Sequence, residues 1–575
     1  MAHPCAPCFG VIESAYDCHP ERSRGTPWHS PEGTSRDVST SLDMTRGLLE
    51  DRRTLWVVAA LIVVLFALAN LPWQLDDYDQ AKQAFTSFEM VKDGHWLYQH
   101  TPHERVATKP PLVGWISAAL FAVTRSWEIA WRLPSLIAAL TLAFVLFQAA
   151  KDAYGKVAAV IAVGAFGLNL LSPRLATLVR TDMPLALVIF LIGLLIWQRI
   201  RREDEWKLRD QVYVFVLLTA AMLIKGPIVY AFLLPGIALF QLRAFKERRL
   251  GQPSTANLTA GKPSLLASAT RSASAWPSRW PWLASLAIFL VWVAGGIWFQ
   301  PGFYEEVVMR EFVGRFGETI HRPQPLLFYF PHLLHKFAPW SVLMVAIAFL
   351  DFRSRNWRLR SLFREMSPET FWLLCWSIVG LVVMSLIPSK RVDRIFPVIP
   401  PLCLLLAAQV GGRRSSSRSD GFPAVNLEID GCPSRRSLNA KAATLCPYVA
   451  ITLILAILFS SGYTGWKVIT GYRDHRDALA IFGKNIRHEA EAHHWRYEVL
   501  SAKDEGLLLY LRKTHFVKPA DAITEWNTGN LDALIASKEK AAVLMSELKG
   551  NALAQSQPHE REQHHQDRGY VLITR

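Results

Sequence analysis

Cysteine is scarce in this chain: 575 residues carry only Cys5, Cys8, Cys18, Cys375, Cys403, Cys432 and Cys446. Cys5 and Cys8 form a CxxC with Cys18 and His19 downstream, but a structural zinc site needs two half-sites at set spacing, and the second is missing. Residues 1–43 lack the apolar core of a signal peptide. They are polar and rich in Pro, Ser and Arg, and read as a disordered or non-native leader, with Met44 as an alternative start to Met1. No repeat relates the two halves, which weighs against the duplicated architecture common in transporters. Nor does the net charge of +15 form a continuous basic surface, which phosphate-backbone binding would need. Nucleic acid is excluded on that ground.

Apolar sequence is abundant. Fifty-one per cent of residues are hydrophobic, 21 are Trp, and the apolar residues gather in runs instead of alternating with polar ones. Runs lie near 55–73, 112–124, 132–150, 157–173, 183–198, 211–224, 227–242, 282–299, 339–352, 371–387, 395–410 and 447–463. The run 112–124 has about 13 residues, short of the roughly 17–25 a crossing needs. Treating it as a surface helix puts the basic loop RIRREDEWKLRD, residues 199–210, with the other Lys/Arg-rich loops in the cytoplasm, as the positive-inside rule requires. The expected class is an α-helical polytopic membrane protein of about eleven spans, weakest at 211–224 and 339–352, with its N-terminus inside. Its membrane domain covers 44–463, with flexible cytoplasmic linkers at 243–281 and 411–446.

Segments 74–131, 174–182, 300–338, 388–394 and 464–575 then face outward, and none contains a cysteine. After Tyr463 the composition changes, and YEVLSA, AAVLMS and YVLITR read as strands with helix at 531–537 between them. A small outer α/β domain, 464–575, is expected, without a catalytic constellation of its own.

The chemistry concentrates on the outer face. The first loop, 76–131, opens with Asp76, Asp77 and Asp79, then carries Lys82, Glu89 and Lys109-Pro110-Pro111. Arg180 and Asp182 lie in the second outer segment, and Lys225 ends a span. The turn 388–394 carries Lys390, Arg391 and Arg394 against the positive-inside pattern, as cations do when they meet an anion. Lys82, Lys109, Arg180, Lys225, Arg391 and Arg394 are therefore substrate-binding candidates for a phosphate or diphosphate, although Arg391 and Arg394 could instead reach to lipid headgroups. A cationic pocket stabilises a lipid-phosphate leaving group as a glycosidic bond breaks, and a carboxylate can take the acceptor's proton. Asp79 and Asp182, each just outside a span, are the catalytic candidates; helix capping is the bland alternative for Asp79. His332 and His335, at i and i+3, fit an amphipathic surface helix as well as a metal. His95, His100 and His103 read as solvent-exposed. No metal ligand set is assigned and no cofactor is expected, although divalent-metal dependence stays open.

These residues occur in motifs that resemble the GT-C superfamily of polyprenyl-phosphate-sugar-dependent glycosyltransferases, in particular its protein-mannosyltransferase and ArnT types. The matching pieces are DQAKQAFTSFEMVKDGHWL, KPPLVGW, RLPSLIAAL, RTDMPL, IKGP, REFVGRF with HRPQPLLFYFPHL, PWS and SKRVDRIFPVIPPLCLL, in family order across roughly 55–410. The resemblance implies a GT-C fold with juxtamembrane helices in the first outer loop. It makes Asp79 the first-loop catalytic aspartate, Asp182 the second-loop aspartate and Lys109 the KPP lysine, with Lys82 where an Arg is common. The chain departs from the ArnT pattern at Gln80, Thr108 and Phe312, so ArnT-type metal ligation and an aminoarabinose substrate do not carry over. The expected function is sugar transfer from a polyprenyl-phosphate donor to a lipid, glycan or protein acceptor at the outer face of the plasma membrane, the bacterial inner membrane. The alternative is a transporter or flippase for a lipid-linked anion.

Overall fold

Among the described residues of the computed structural model, seven helices are long and apolar enough to cross a bilayer: Trp127–Tyr154, Asp182–Arg202, Ile228–Lys246, Trp280–Phe299, Pro368–Leu386, Val392–Gly411 and Pro447–Arg473. The described residues are 47, 51–75, 78–251, 278–314, 324–354, 356–358, 363, 366–411, 435–502, 504–550, 553–556 and 569–575. The leader 1–43, Met44, Asp76, Asp77, His321 and most of the two expected linkers lie outside them. An eighth span is counted if Leu326–Lys336 and Trp340–Ser354, which meet at 103°, form one broken span.

The helical membrane class thus holds; among the described residues seven helices, or eight with the broken pair, pass as spans by length and composition, against about eleven expected. Three expected runs fall short of that test. Arg52–Leu68, with 17 residues, is at the lower limit of a crossing, and Lys156–Gly167 has only 12. Leu208–Lys225 is long enough, but Arg209, Asp210 and Lys225 make it polar at both ends.

Most helix ends follow local rules. Ser367 caps Pro368–Leu386 by accepting from the Thr370 amide at 3.4 Å, with Pro368 at the first helical position. Arg199, Arg201 and Arg202 sit in the last turn of Asp182–Arg202, where cations meet the negative end of the helix dipole. Small residues let the helices approach closely. A Cβ on Gly193 would lie 2.2 Å from the Trp376 ring, and the Trp372 indole donates to the Gly193 carbonyl at 3.1 Å.

A four-stranded sheet lies near the C-terminus: β1 (Tyr497–Val499), β2 (Ala533–Ser537), β3 (Leu553–Ser556) and β4 (Tyr570–Thr574), in the order β1-β2-β4-β3. β1 runs parallel to β2, and β4 is antiparallel to both β2 and β3. Two segments exchange their expected roles. Residues 531–537 supply the strand β2, whose Ala533 to Ala536 are buried on both faces, so it shows no alternation. AAVLMS falls largely in the helix Lys538–Leu544, burying Ala541 and Leu544 at i and i+3 while Val543 stays 65% exposed.

This C-terminal portion braces the helix Tyr78–Lys92. Ala84, Phe85 and Phe88 of that helix join a buried cluster with Phe482, Leu507, Leu508 and Leu511. The Leu75 amide donates to the Tyr510 hydroxyl at 2.9 Å. Gly506 lies so close to the Leu75 carbonyl that a Cβ would sit 2.3 Å from it. Only glycine permits that approach.

Candidate active site

Polar residues at the ends of the long helices converge on one cavity of about 330 Å³. Asp79 is in the first turn of Tyr78–Lys92, and Lys109 precedes Pro110, Pro111 and the helix Leu112–Thr124. Asp182 opens Asp182–Arg202 and Lys225 closes Leu208–Lys225, where Gly226 (φ 75°) breaks the helix. Arg391 and Arg394 flank the start of the 3₁₀ stretch Val392–Val398 that leads into Ile399–Gly411. Helix ends leave backbone groups unpaired and side chains free to turn inward, which makes such a junction suitable for polar chemistry.

All eight residues singled out from the sequence line this cavity: Asp79, Lys82, Lys109, Arg180, Asp182, Lys225, Arg391 and Arg394. Arg310, Glu311 and Asp393 complete its charged lining, giving seven cations against four carboxylates. The excess is positive, as an anionic ligand requires.

The carboxylates are held by cations in a definite order. Asp79 Oδ2 is paired with Arg391 and lies 3.4 Å from Nη2 of Arg180. Burial opposes its ionisation, but Arg391 and Arg180 outweigh burial and hold the carboxyl below the usual carboxylate range. Arg180 also reaches Asp393, with Nη1 2.7 Å from Oδ2, and both side chains are only 8% exposed. Asp182 Oδ1 accepts from the Lys225 ammonium. Glu311 accepts from the Thr108 hydroxyl at 3.1 Å and stands 3.9 Å from Nζ of Lys109. Arg394 donates to the Ser389 carbonyl at 2.6 Å.

Sequence reasoning missed Asp393, although it is the lone carboxylate among Lys390, Arg391 and Arg394. A carboxylate embedded in a basic turn was the available signal. Asp79 is not only a helix-end residue: its side chain is spent on two arginines from distant parts of the chain. His332 is committed elsewhere, its Nδ1–H donating to the Phe328 carbonyl at 2.9 Å. His103 stacks on Phe516. His95 and His100, expected to be simply exposed, face Glu89 together.

A second, more apolar cavity of about 250 Å³ opens from the first. The two share Thr108, Lys109, Lys225, Glu311 and Arg394, and the second continues along Pro227, Ile228, Ala231, Met384 and Ile387. A charged end joined to an apolar groove matches a ligand with a phosphate head and a hydrocarbon tail.

The backbone arrangement has a counterpart of known structure. ArnT from Cupriavidus metallidurans, solved with undecaprenyl phosphate bound, superposes with a TM-score of 0.61 at 17% identity, covering 90% of this chain and 97% of that one. The likeness is one of fold: the chain shares the backbone arrangement of that ArnT. The family model for dolichyl-phosphate-mannose-protein mannosyltransferases matches residues 108–261. An undecaprenyl phosphate-alpha-4-amino-4-deoxy-L-arabinose arabinosyl transferase of Sodalis glossinidius is 25% identical over 448 residues, or 72% of this chain and 66% of that protein. A transferase of the same name from Pseudomonas savastanoi pv. phaseolicola is 24% identical over 69% of each chain. The chain thus spans about two thirds of the length of these curated relatives. Its apolar helices and these relatives make it a multi-pass protein of the bacterial inner membrane.

Proposed function

We propose that the chain transfers a sugar from a polyprenyl-phosphate donor to an acceptor hydroxyl or amine at the outer, periplasmic face of the inner membrane. The observation that carries this reading is the union of two cavities, one with seven cations and one apolar, sharing Lys109, Lys225 and Arg394 at their junction. The donor phosphate belongs at that junction and the polyprenyl chain along Ile228, Ala231, Met384 and Ile387. ArnT, which was solved with undecaprenyl phosphate, supports the donor class, and the arabinosyl transferases support the reaction class. The Lys/Arg distribution of the loops supports the outward orientation.

The acceptor heteroatom attacks the anomeric carbon from the side opposite the phosphate. As that bond forms, the bond from the anomeric carbon to the phosphate oxygen breaks, and the lipid phosphate leaves with the electron pair. Inversion follows from a single displacement. Lys109, Lys225, Arg391 and Arg394 stabilise the negative charge that grows on the leaving phosphate. Asp79, held ionised by Arg391 and Arg180, orients the acceptor and receives its proton as the nucleophile commits. Asp182 fixes the position of Lys225, and Asp393 that of Arg180. Lys82 lies about one helical turn from Asp79 on the same helix and lines the same cavity.

The test is transfer from a radiolabelled polyprenyl-phosphate sugar by the purified full chain. Label appearing in an acceptor, or released slowly to water, supports the reading. Tight lipid binding with no turnover across several donor sugars contradicts it.

A further inference from the structure

Away from the cavity, three side chains able to ligate a metal face one another. Glu89 is near the end of the helix Tyr78–Lys92, and His95 and His100 lie in the loop that follows. Glu89 Oε1 contacts Nδ1 of His95 and lies 3.3 Å from Nδ1 of His100. The two Nδ1 atoms are 3.4 Å apart, and the three donor atoms all lie within 4.8 Å of one another. Among the described residues no other group of His, Cys, Asp and Glu meets this condition.

The spacing fits a cation. Bonds of about 2.0–2.2 Å to a tetrahedral centre place neighbouring donors about 3.4 Å apart. Two of the three separations already match. The third, between Glu89 and His95, is shorter, and His95, with its side chain 47% exposed, is the one free to swing outward.

The chemistry of the donors also fits. Nε2 of His100 lies 3.3 Å from Oε1 of Gln300. An amide oxygen only accepts, so Nε2 carries the hydrogen and Nδ1 is the ring atom left to present a lone pair to a metal. That lone pair, Nδ1 of His95 and the Glu89 carboxylate converge on one point, where a cation would meet all three. Glu89 itself is 2% exposed, and its Oε2 has no hydrogen-bond partner among the described residues. Burying such an oxygen is costly unless charge compensates it.

We propose that Glu89, His95 and His100 bind a divalent transition metal, zinc by preference, with a water in the fourth position. Two imidazoles with one carboxylate suit zinc and its neighbours, and are too rich in nitrogen for magnesium or calcium. Gln300 accepts the Nε2 hydrogen of His100 and so holds the ring with Nδ1 toward the metal. Glu89 is ten residues beyond Asp79 on the same helix, about 15 Å along its axis, so the ion does not touch the reacting sugar. It acts as a clamp. The loop already meets the span Trp280–Phe299 through the Tyr98 hydroxyl, which donates to the Trp292 carbonyl at 2.9 Å. The metal, with Gln300 just past the end of that span, completes the tie between the span and the helix that carries Asp79.

The experiment uses the purified full chain in detergent, stripped by a chelator and titrated with Co²⁺ and then Zn²⁺. One equivalent of cobalt is expected to give the visible absorption of a four-coordinate ion, to be displaced by zinc, and zinc is expected to raise Tm by several degrees. His95→Ala changes an exposed side chain and leaves the fold intact; it abolishes the absorption and the Tm shift. Gln300→Leu keeps the ligands and weakens zinc binding by about 10- to 100-fold. Absence of the cobalt spectrum in the wild type overturns the proposal, as does a spectrum that survives both His95→Ala and His100→Ala.

Discussion

Asp79 and Arg391 are 312 positions apart in the sequence, yet they are directly ion-paired on the wall of one cavity. Arg180 approaches the same carboxylate oxygen from a third segment. A juxtamembrane helix, a helix-start loop and a short basic turn are thereby fixed around one carboxylate. Removing Arg391 removes the partner that does most to keep Asp79 ionised. Arg391→Gln is expected to lower donor turnover by about 10²–10³-fold, the usual cost of losing one preorganised charge partner. Single-turnover transfer checks it.

Lys225 and Asp182 form a more buried pair, with side chains 12% and 9% exposed. Lys225→Met alone strands a buried carboxylate and is expected to destabilise the chain by about 3–5 kcal/mol. Adding Asp182→Asn to it should restore most of that stability, because the uncompensated charge is gone. Transfer should stay low, since the cation facing the phosphate is still missing. Thermal melts paired with transfer rates on the two variants separate the structural role from the catalytic one.

The apolar groove predicts discrimination by tail length. Ala231→Trp fills the passage beside Met384 and Ile387. KM for a long-chain polyprenyl donor is expected to rise by about 10-fold or more, in line with the apolar burial lost. A donor truncated to one or two isoprene units should show little change. Equal effects on both donors would place the tail elsewhere.

Much of this site was legible because a membrane helix advertises polar residues. Lys225 ends an apolar run, Asp182 begins one, and Arg391 and Arg394 break the charge pattern of the loops. Each stands out against its neighbours, and together they fall at one face. What sequence does not carry is pairing across distance. The Arg180–Asp393 contact joins residues 213 positions apart, and nothing local in either segment announces it. The Glu89–His95–His100 group escaped for a related reason: the loop 93–100 folds back on its own helix, so helical spacing is the wrong measure. In the C-terminal portion, residues 531–537 and AAVLMS exchanged strand and helix because a strand covered on both faces and a short buried helix give similar apolar runs.

The C-terminal portion predicts a pH effect. Glu505 is 4% exposed, and burial pushes its carboxyl up to about 7, with Lys82 pulling the other way. Between the ordinary value of 4.5 and about 7, the folded chain holds a proton that the unfolded chain releases, so stability falls as pH rises through this window. Glu505→Gln removes that loss. Its Tm should exceed the wild-type value at pH 8 and match it near pH 4.5, the gain in unfolding free energy at pH 8 being no more than about 3 kcal/mol.

Sugar transfer from a radiolabelled polyprenyl-phosphate donor, wild type against Asp79→Asn, tests the central claim most directly. The account predicts measurable transfer or slow hydrolysis by the wild type, and a loss of about 10²-fold or more in the variant, both assayed well below their melting temperatures. Full activity in Asp79→Asn would contradict the role assigned to that carboxylate.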